Sequence, residues 1–229
     1  MKFACFAKRT LWWPTKFGWL CLLSPPVVLL GLWVFWGEAF LARTARVPAD
    51  TLIVEGWIGR EGMSVAKHEF EQGGYRFLVV TGGMSGQLWA AHRWNFAVAA
   101  QEELLRLGFP GEKLLAAPCE DLESQRTYES ALAAKRKLEA AGYHPAGVNV
   151  MSRGTHTRRT RLVYARVFSS TRVGCISWHP LGALTKVWWE SSERAKELMN
   201  ETLGYFYEAL LGSCRWLTSP PAPASLPAA

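Results

Sequence analysis

The stretch VMSRGTHTRRTR (150–161) sets one histidine among Arg153, Arg158, Arg159 and Arg161, directly after an apolar run. Imidazole is the side chain whose ordinary titration lies near neutrality, so it suits proton transfer at physiological pH. His156 and Arg159 are three residues apart, which puts them on one face of a first helical turn. Basic residues at a helix N-terminus oppose the helix dipole. A bound anion would offset that cost, because exposed amides, hydroxyls and Arg159 would all favour a phosphate or carboxylate. Ser152 and Thr155 have the side chains of helix caps. A solvated basic helix face is the plainer reading, and Arg158 and Arg161 fit it as surface charge.

Three other apolar runs end in residues able to do chemistry. After TLIV (51–54) comes Glu55-Gly56-Trp57, a carboxylate leaving a buried strand. It can act as a base, bind a hydroxyl or a metal, or simply cap a neighbouring helix. After RFLVV (76–80) comes TGGMSG (81–86), where Gly82 and Gly83 let backbone amides turn toward an anion. Two glycines in a strand–helix turn are also often only a turn. After KLLAA (113–117) comes CEDLESQRTYESA (119–131). There Ser124 or Thr127 can cap a helix, and Glu120, Asp121, Glu123 and Glu129 crowd the same rim. A capped, acidic first turn accounts for most of this. His179, in SWHP (177–180), reads as a structural histidine in a loop. There is no H-E-x-x-H, no G-x-S-x-G and no Cys/His zinc spacing, so the residues name neither metal nor cofactor.

The elements that must position these residues alternate. Strands are expected at 51–54, 76–80, 113–117, 147–151 and 172–177. Helices are expected at 61–72, 87–107, 125–141, about 156–168 and about 189–211, the last with Leu198, Thr202, Tyr205 and Ala209 on one stripe. Strands that are apolar without alternation imply a parallel sheet covered on both faces. The expected fold is α/β, a Rossmann-like doubly wound and mainly parallel five-stranded sheet. Such sheets bind ligands at the carboxyl ends of their strands, where Glu55, Gly82, Gly83, Ser124, Thr127, Glu129, Ser152, His156 and Arg159 all fall.

Ahead of this domain, residues 17–37 carry no charge and span about 31 Å as a helix, the thickness of a hydrocarbon core. Trp12, Trp13, Trp33 and Trp36 sit where interfacial anchors belong, and a membrane helix tolerates Pro25 and Pro26. The rival is a cleaved signal peptide, but the run is long for one and no clear A-x-A site follows. The organisation is therefore a cytoplasmic N-terminus (1–16), an anchor (17–37), a linker (38–49), an α/β domain (50–212) and a disordered Pro/Ala/Ser tail (213–229). Four cations precede the span and two follow it closely. The positive-inside rule then leaves the N-terminus in the cytoplasm and the domain outside the plasma membrane, in the periplasm of a Gram-negative cell. The net charge of +7 is mostly this flank: residues 1–50 hold six cations and two acids. What is left is ordinary for a soluble domain and too small for a general nucleic-acid surface. The cysteines at 5, 21, 119, 175 and 214 are scattered and show no disulfide framework.

Taken together, VEGW (54–57), GGYRFLVVTGG (73–83), RTYESAL (126–132), GTHTRRTRLVYARVF (154–168) and WWESSE (188–193) before ETLGYFYEAL resemble the SanA/ElyC/YdcF family of bacterial envelope proteins, over about residues 48–211. The resemblance implies a Rossmann-like domain behind an N-terminal anchor. It also implies a role in envelope integrity, through peptidoglycan assembly or lipid-carrier metabolism, with S-adenosylmethionine binding in one branch. The family-like rim residues map to Gly82, Gly83, Ser124, Thr127, Glu129, Ser152, His156 and Arg159. Two departures stand out. GQLWAA (86–91) lacks the glutamate that many relatives carry after the double glycine, and Val54-Glu55-Gly56 stands where many have V-L-G. Three functions fit. One is an envelope enzyme acting on an anionic small molecule or lipid-linked glycan, with Arg159 holding the anion, His156 as acid/base and Glu55 or Glu129 orienting it. The second is a non-catalytic tethered binding protein. The third is a cytoplasmic nucleotide or S-adenosylmethionine binder, which needs the opposite topology.

Overall fold

A computed structural model describes residues 14–85, 94–119, 125–182 and 187–212. The chain divides after Gly37 into an N-terminal unit and a main unit. Helix α1 runs Lys16–Leu41, longer at both ends than the expected span, with Pro25 and Pro26 inside it. Its apolar window is wholly unburied, and its length and composition suffice to cross a membrane. The same properties belong to a signal sequence.

In the main unit, β1 (Thr51–Glu55), β2 (Phe77–Gly82), β3 (Leu114–Pro118), β4 (Gly147–Arg153) and β5 (Arg172–Trp178) form one sheet in the order β3-β2-β1-β4-β5. Every pairing is parallel. All five residues of β1 are buried, which is why TLIV shows no polar alternation: both of its faces are covered. Leu52 and Val54 pack with Met63, Ala66 and Phe70 of α2 (Gly59–Gly73) and Ala100 and Leu104 of α3 (Phe96–Arg106). Ile53 packs on the opposite face with Ala131, Ala134 and Leu138 of α4 (Arg126–Ala140) and Tyr164 and Val167 of α5 (His156–Val167). Strand order reverses between β1 and β4. Their carboxyl ends therefore border the crevice in which doubly wound sheets take ligands.

Three boundaries differ from expectation. α3 begins at Phe96, not at 87, because Asn95 caps it by accepting from the amides of Ala97 and Val98; residues 86–93 lie outside the described segments. The final helix, α6, runs Ser192–Leu210; of the expected stripe Leu198 is buried, Thr202 and Tyr205 are half-buried and Ala209 is exposed, while Glu208, outside that stripe, is buried. Residues 38–49, expected as a linker, are partly helical and partly paired with the sheet. Glu38–Leu41 complete α1, and Ala45 exchanges both backbone hydrogen bonds with Cys175 of β5. Asn149, buried in mid-β4, accepts from the Val47 amide at 3.0 Å and donates to the Val47 carbonyl at 2.9 Å.

Candidate functional site

Glu55 ends β1 and Ser152 lies near the end of β4, across the strand-order reversal. Glu55 is only 3% exposed, so its carboxylate needs partners to be held there. Ser152 Oγ donates to Oε2 at 2.5 Å and Thr160 Oγ1 to Oε1 at 3.4 Å, while His156 Nε2 stands 3.6 Å from Oε1. Gly154, at φ +51°, makes the turn that brings His156 round to open α5. Neither serine nor threonine acts as the cap expected of them. Ser152 is inside β4, and Thr155, at the N-cap position, donates to Glu197 at 3.3 Å instead.

His156 and Arg159 do share a face, and α6 closes over it. Glu201 takes Arg159 in a two-pronged pair, Nε to Oε2 at 2.7 Å and Nη2 to Oε1 at 3.0 Å. His156 Nδ1 lies 3.0 Å from the same Oε1. Arg159 Nη2 also comes within 2.9 Å of Nδ1, and a ring nitrogen cannot both donate and accept. Burial alone would lower the His156 pKa. Glu55 and Glu201 outweigh it and raise the value from 6.5 to about 9. The ring is therefore protonated at neutral pH, Nδ1–H donates to Glu201, and the guanidinium donates to that carboxylate beside it. Glu201 responds in the opposite sense: burial pushes its pKa up, but His156 and Arg159 bring it down to about 2.

Two sequence expectations are corrected here. His156 does not titrate near neutrality; it is an imidazolium clamped between two carboxylates. Arg159 is not an open anion-binding cation, because Glu201 already occupies its fork. The pair is part-buried and two-pronged, so an incoming anion would have to share the guanidinium rather than claim it. Arg158 is half-buried rather than simple surface charge, whereas Arg161 is exposed as expected. Arg158 lies 3.7 Å over the Phe40 ring and donates to the Phe40 carbonyl, and Arg161 donates to Val173 O at 3.0 Å.

The cluster lines a cavity of about 670 Å³. Glu55, Gly82, Gly83, Thr127, His156 and Arg159 all reach it, so six of the expected site residues converge. Ser152 sits beneath, holding Glu55. Thr127 lies in the first turn of α4 but does not cap it; the N-cap is Gln125, in left-handed conformation at φ +57° and itself on the cavity wall. Ser124 falls outside the described residues, as do Glu120, Asp121 and Glu123. Glu129 is not part of the site: it lines a separate concavity with Cys119, Arg136 and Lys137. Among the described residues, no group of three or more His, Cys, Asp or Glu is placed to hold a metal.

Sequence reading missed Glu201. A signal for it exists. Arg159 and Arg166 are seven apart, as are Glu201 and Glu208, and Arg166 Nη1 pairs with Glu208 at 2.8 Å. Two matched charges one heptad apart on successive helices mark parallel facing stripes. Trp57, Phe96, Arg126, Tyr128 and Tyr207 also line the cavity and were not singled out as site residues. No protein-family model matches the chain, and no curated protein matches it.

Proposed function

We propose that this chain is a membrane-anchored protein of the SanA/ElyC/YdcF type. Its α/β domain, held outside the plasma membrane, takes a phosphate-bearing or otherwise anionic ligand of cell-envelope biogenesis into the cavity at the strand-order reversal. His156 supplies a proton there. The observation that carries this reading is the imidazolium between Glu55 and Glu201, bordering an open cavity where a doubly wound sheet presents its ligand site. A histidine held protonated at pH 7 is poised to give up a proton to a leaving group, and the flanking carboxylates stabilise the charge until it does. The envelope role and the family rest on the sequence motifs. The test is complementation of an envelope-stress phenotype by His156→Gln and, separately, Glu201→Gln. Loss of function in both, with both variants folded and present at normal levels, is the expected result. Full function of His156→Gln would remove the acid.

One observation gives a second reading its footing. Thr155–Glu197, Arg159–Glu201 and Arg166–Glu208 form a polar zipper between α5 and α6, which is also what a structural strut looks like. A non-catalytic tethered binder would use the cavity and keep the zipper only as packing. It predicts that His156→Gln is tolerated while changes to other residues of the cavity wall are not.

A further inference from the structure

The cavity wall has a charge balance that restricts what it can take. Among its described residues, Glu55, Glu201 and Glu208 face Arg126, Arg159 and the His156 imidazolium, so the wall is close to neutral. The interior charges are moreover spent on one another. Glu201 holds both Arg159 and His156, and Glu208 holds Arg166. Arg126 differs from the rest. It opens α4 at the cavity rim, is exposed, and makes no ion pair with any described carboxylate. A guanidinium at a helix N-terminus opposes the dipole of its own helix. A single anionic group seated there would meet both the guanidinium and the positive end of α4.

The rest of the wall is aromatic. Trp57, Phe96, Tyr128 and Tyr207 line the same cavity, none of them fully buried, and Trp57 stands edge-on to the His156 ring at 5.3 Å between centroids. Partly uncovered aromatic faces around a concavity stabilise a flat or ring-shaped group that covers them.

Resting on the reading of the cavity as a ligand site, we infer that Arg126, not Arg159, is the anion-holding residue, and that the ligand class is a ring bearing one compact anionic group, such as the monophosphate ester of an aromatic or sugar ring. A diphosphate or larger polyanion is disfavoured, because its further charges would meet Glu55, Glu201 and Glu208 with no second unpaired cation among the described lining residues to answer them.

The test uses the full-length protein in detergent and calorimetric titration at pH 7 with phenyl phosphate, inorganic phosphate and pyrophosphate. Phenyl phosphate binds about tenfold or more tightly than inorganic phosphate, from the aromatic contacts, and pyrophosphate gains nothing over phosphate. Arg126→Gln weakens phenyl phosphate about tenfold or more while Tm stays unchanged. Trp57→Leu weakens phenyl phosphate but leaves inorganic phosphate as it was. Equal affinity for phenyl phosphate and phosphate, tighter binding of pyrophosphate, absence of phenyl phosphate binding up to millimolar concentration, or an unchanged affinity in Arg126→Gln would each overturn the inference. None of these bears on the proton donor, which stands or falls separately with His156→Gln in the complementation assay.

Discussion

His156 gains its charge from two carboxylates that come from opposite ends of the domain sequence. That dependence can be titrated. Glu201→Gln removes one carboxylate and leaves the burial, so the His156 pKa falls from about 9 toward its ordinary 6.5. NMR of the imidazole Cε1–H against pH reads the shift directly, and a value still near 9 would show that Glu55 suffices. The same group sets a stability slope. The folded state binds the His156 proton more tightly than the unfolded chain does. Its contribution is therefore complete below pH 6.5 and is lost as pH rises through about 9, an amount of about 3 kcal/mol. Tm should decline across that window in the wild type and stay flatter in His156→Gln. Glu201 works in the other direction: its contribution is present above pH 4.5 and lost as pH falls toward about 2. The residue types at Glu55, His156 and Arg159 were legible from spacing alone, because each follows an apolar strand. Their charge states were not, since these depend on a carboxylate 45 residues beyond His156 in the chain.

At the scale of elements, α5 and α6 run side by side in matched register, with the Thr155–Glu197, Arg159–Glu201 and Arg166–Glu208 contacts each joining residues 42 apart. Gly204 makes the close approach possible at the cavity. A Cβ there would stand 2.9 Å from Arg159 Cδ and 3.0 Å from Nε. The Arg159 stem has little room to yield, because Glu201 fixes its far end. Helix propensity favours alanine over glycine by about 1 kcal/mol, while overpacking costs about 1–3 kcal/mol. Gly204→Ala should therefore be neutral to destabilising, and Gly204→Val clearly destabilising, in thermal denaturation of the full chain. A stabilised Gly204→Val would mean that α6 can shift away without cost. The order of strands and helices was readable from apolar runs and glycine stops. The late start of α3 was not, because an alanine-rich stretch carries the same periodicity before Asn95 as after it. On α6 the periodicity finds Leu198, Thr202 and Tyr205 but not Glu201 and Glu208, because it weights apolar residues and this helix also docks with acids.

At the scale of the whole molecule, one long apolar helix stands ahead of a domain whose first tether is already fixed. The Ala45–Cys175 bridge and the Asn149–Val47 contacts bind residues 43–49 to the sheet. Under the proposed topology α1 is retained, so the protein purified from membranes should have the mass of the uncleaved chain and partition with detergent. A C-terminal reporter active only outside the cytoplasm should be active. A product lacking the first 37 or so residues would make α1 a signal sequence, and an inactive reporter would turn the domain inward. The apolar segment and its flanking charges are plain in the sequence. Whether a peptidase removes it is decided by a few residues around the cut, which composition does not weigh.

The Arg159–Glu201 pair also has a consequence for the order of synthesis. All five strands have been made once the ribosome passes Trp178, and His156 and Arg159 are already in place on α5. Glu201 is still to come. Until it arrives, Arg159 has no carboxylate partner among the described residues and the imidazole keeps only Glu55. A nascent or clipped chain that stops short of α6 thus carries all five strands and His156 but lacks the Glu201 carboxylate that pairs with His156 and Arg159. The C-terminal helix is thus the last of the described elements to be made, and under the proposed function a chain clipped before it loses the carboxylate that keeps His156 charged.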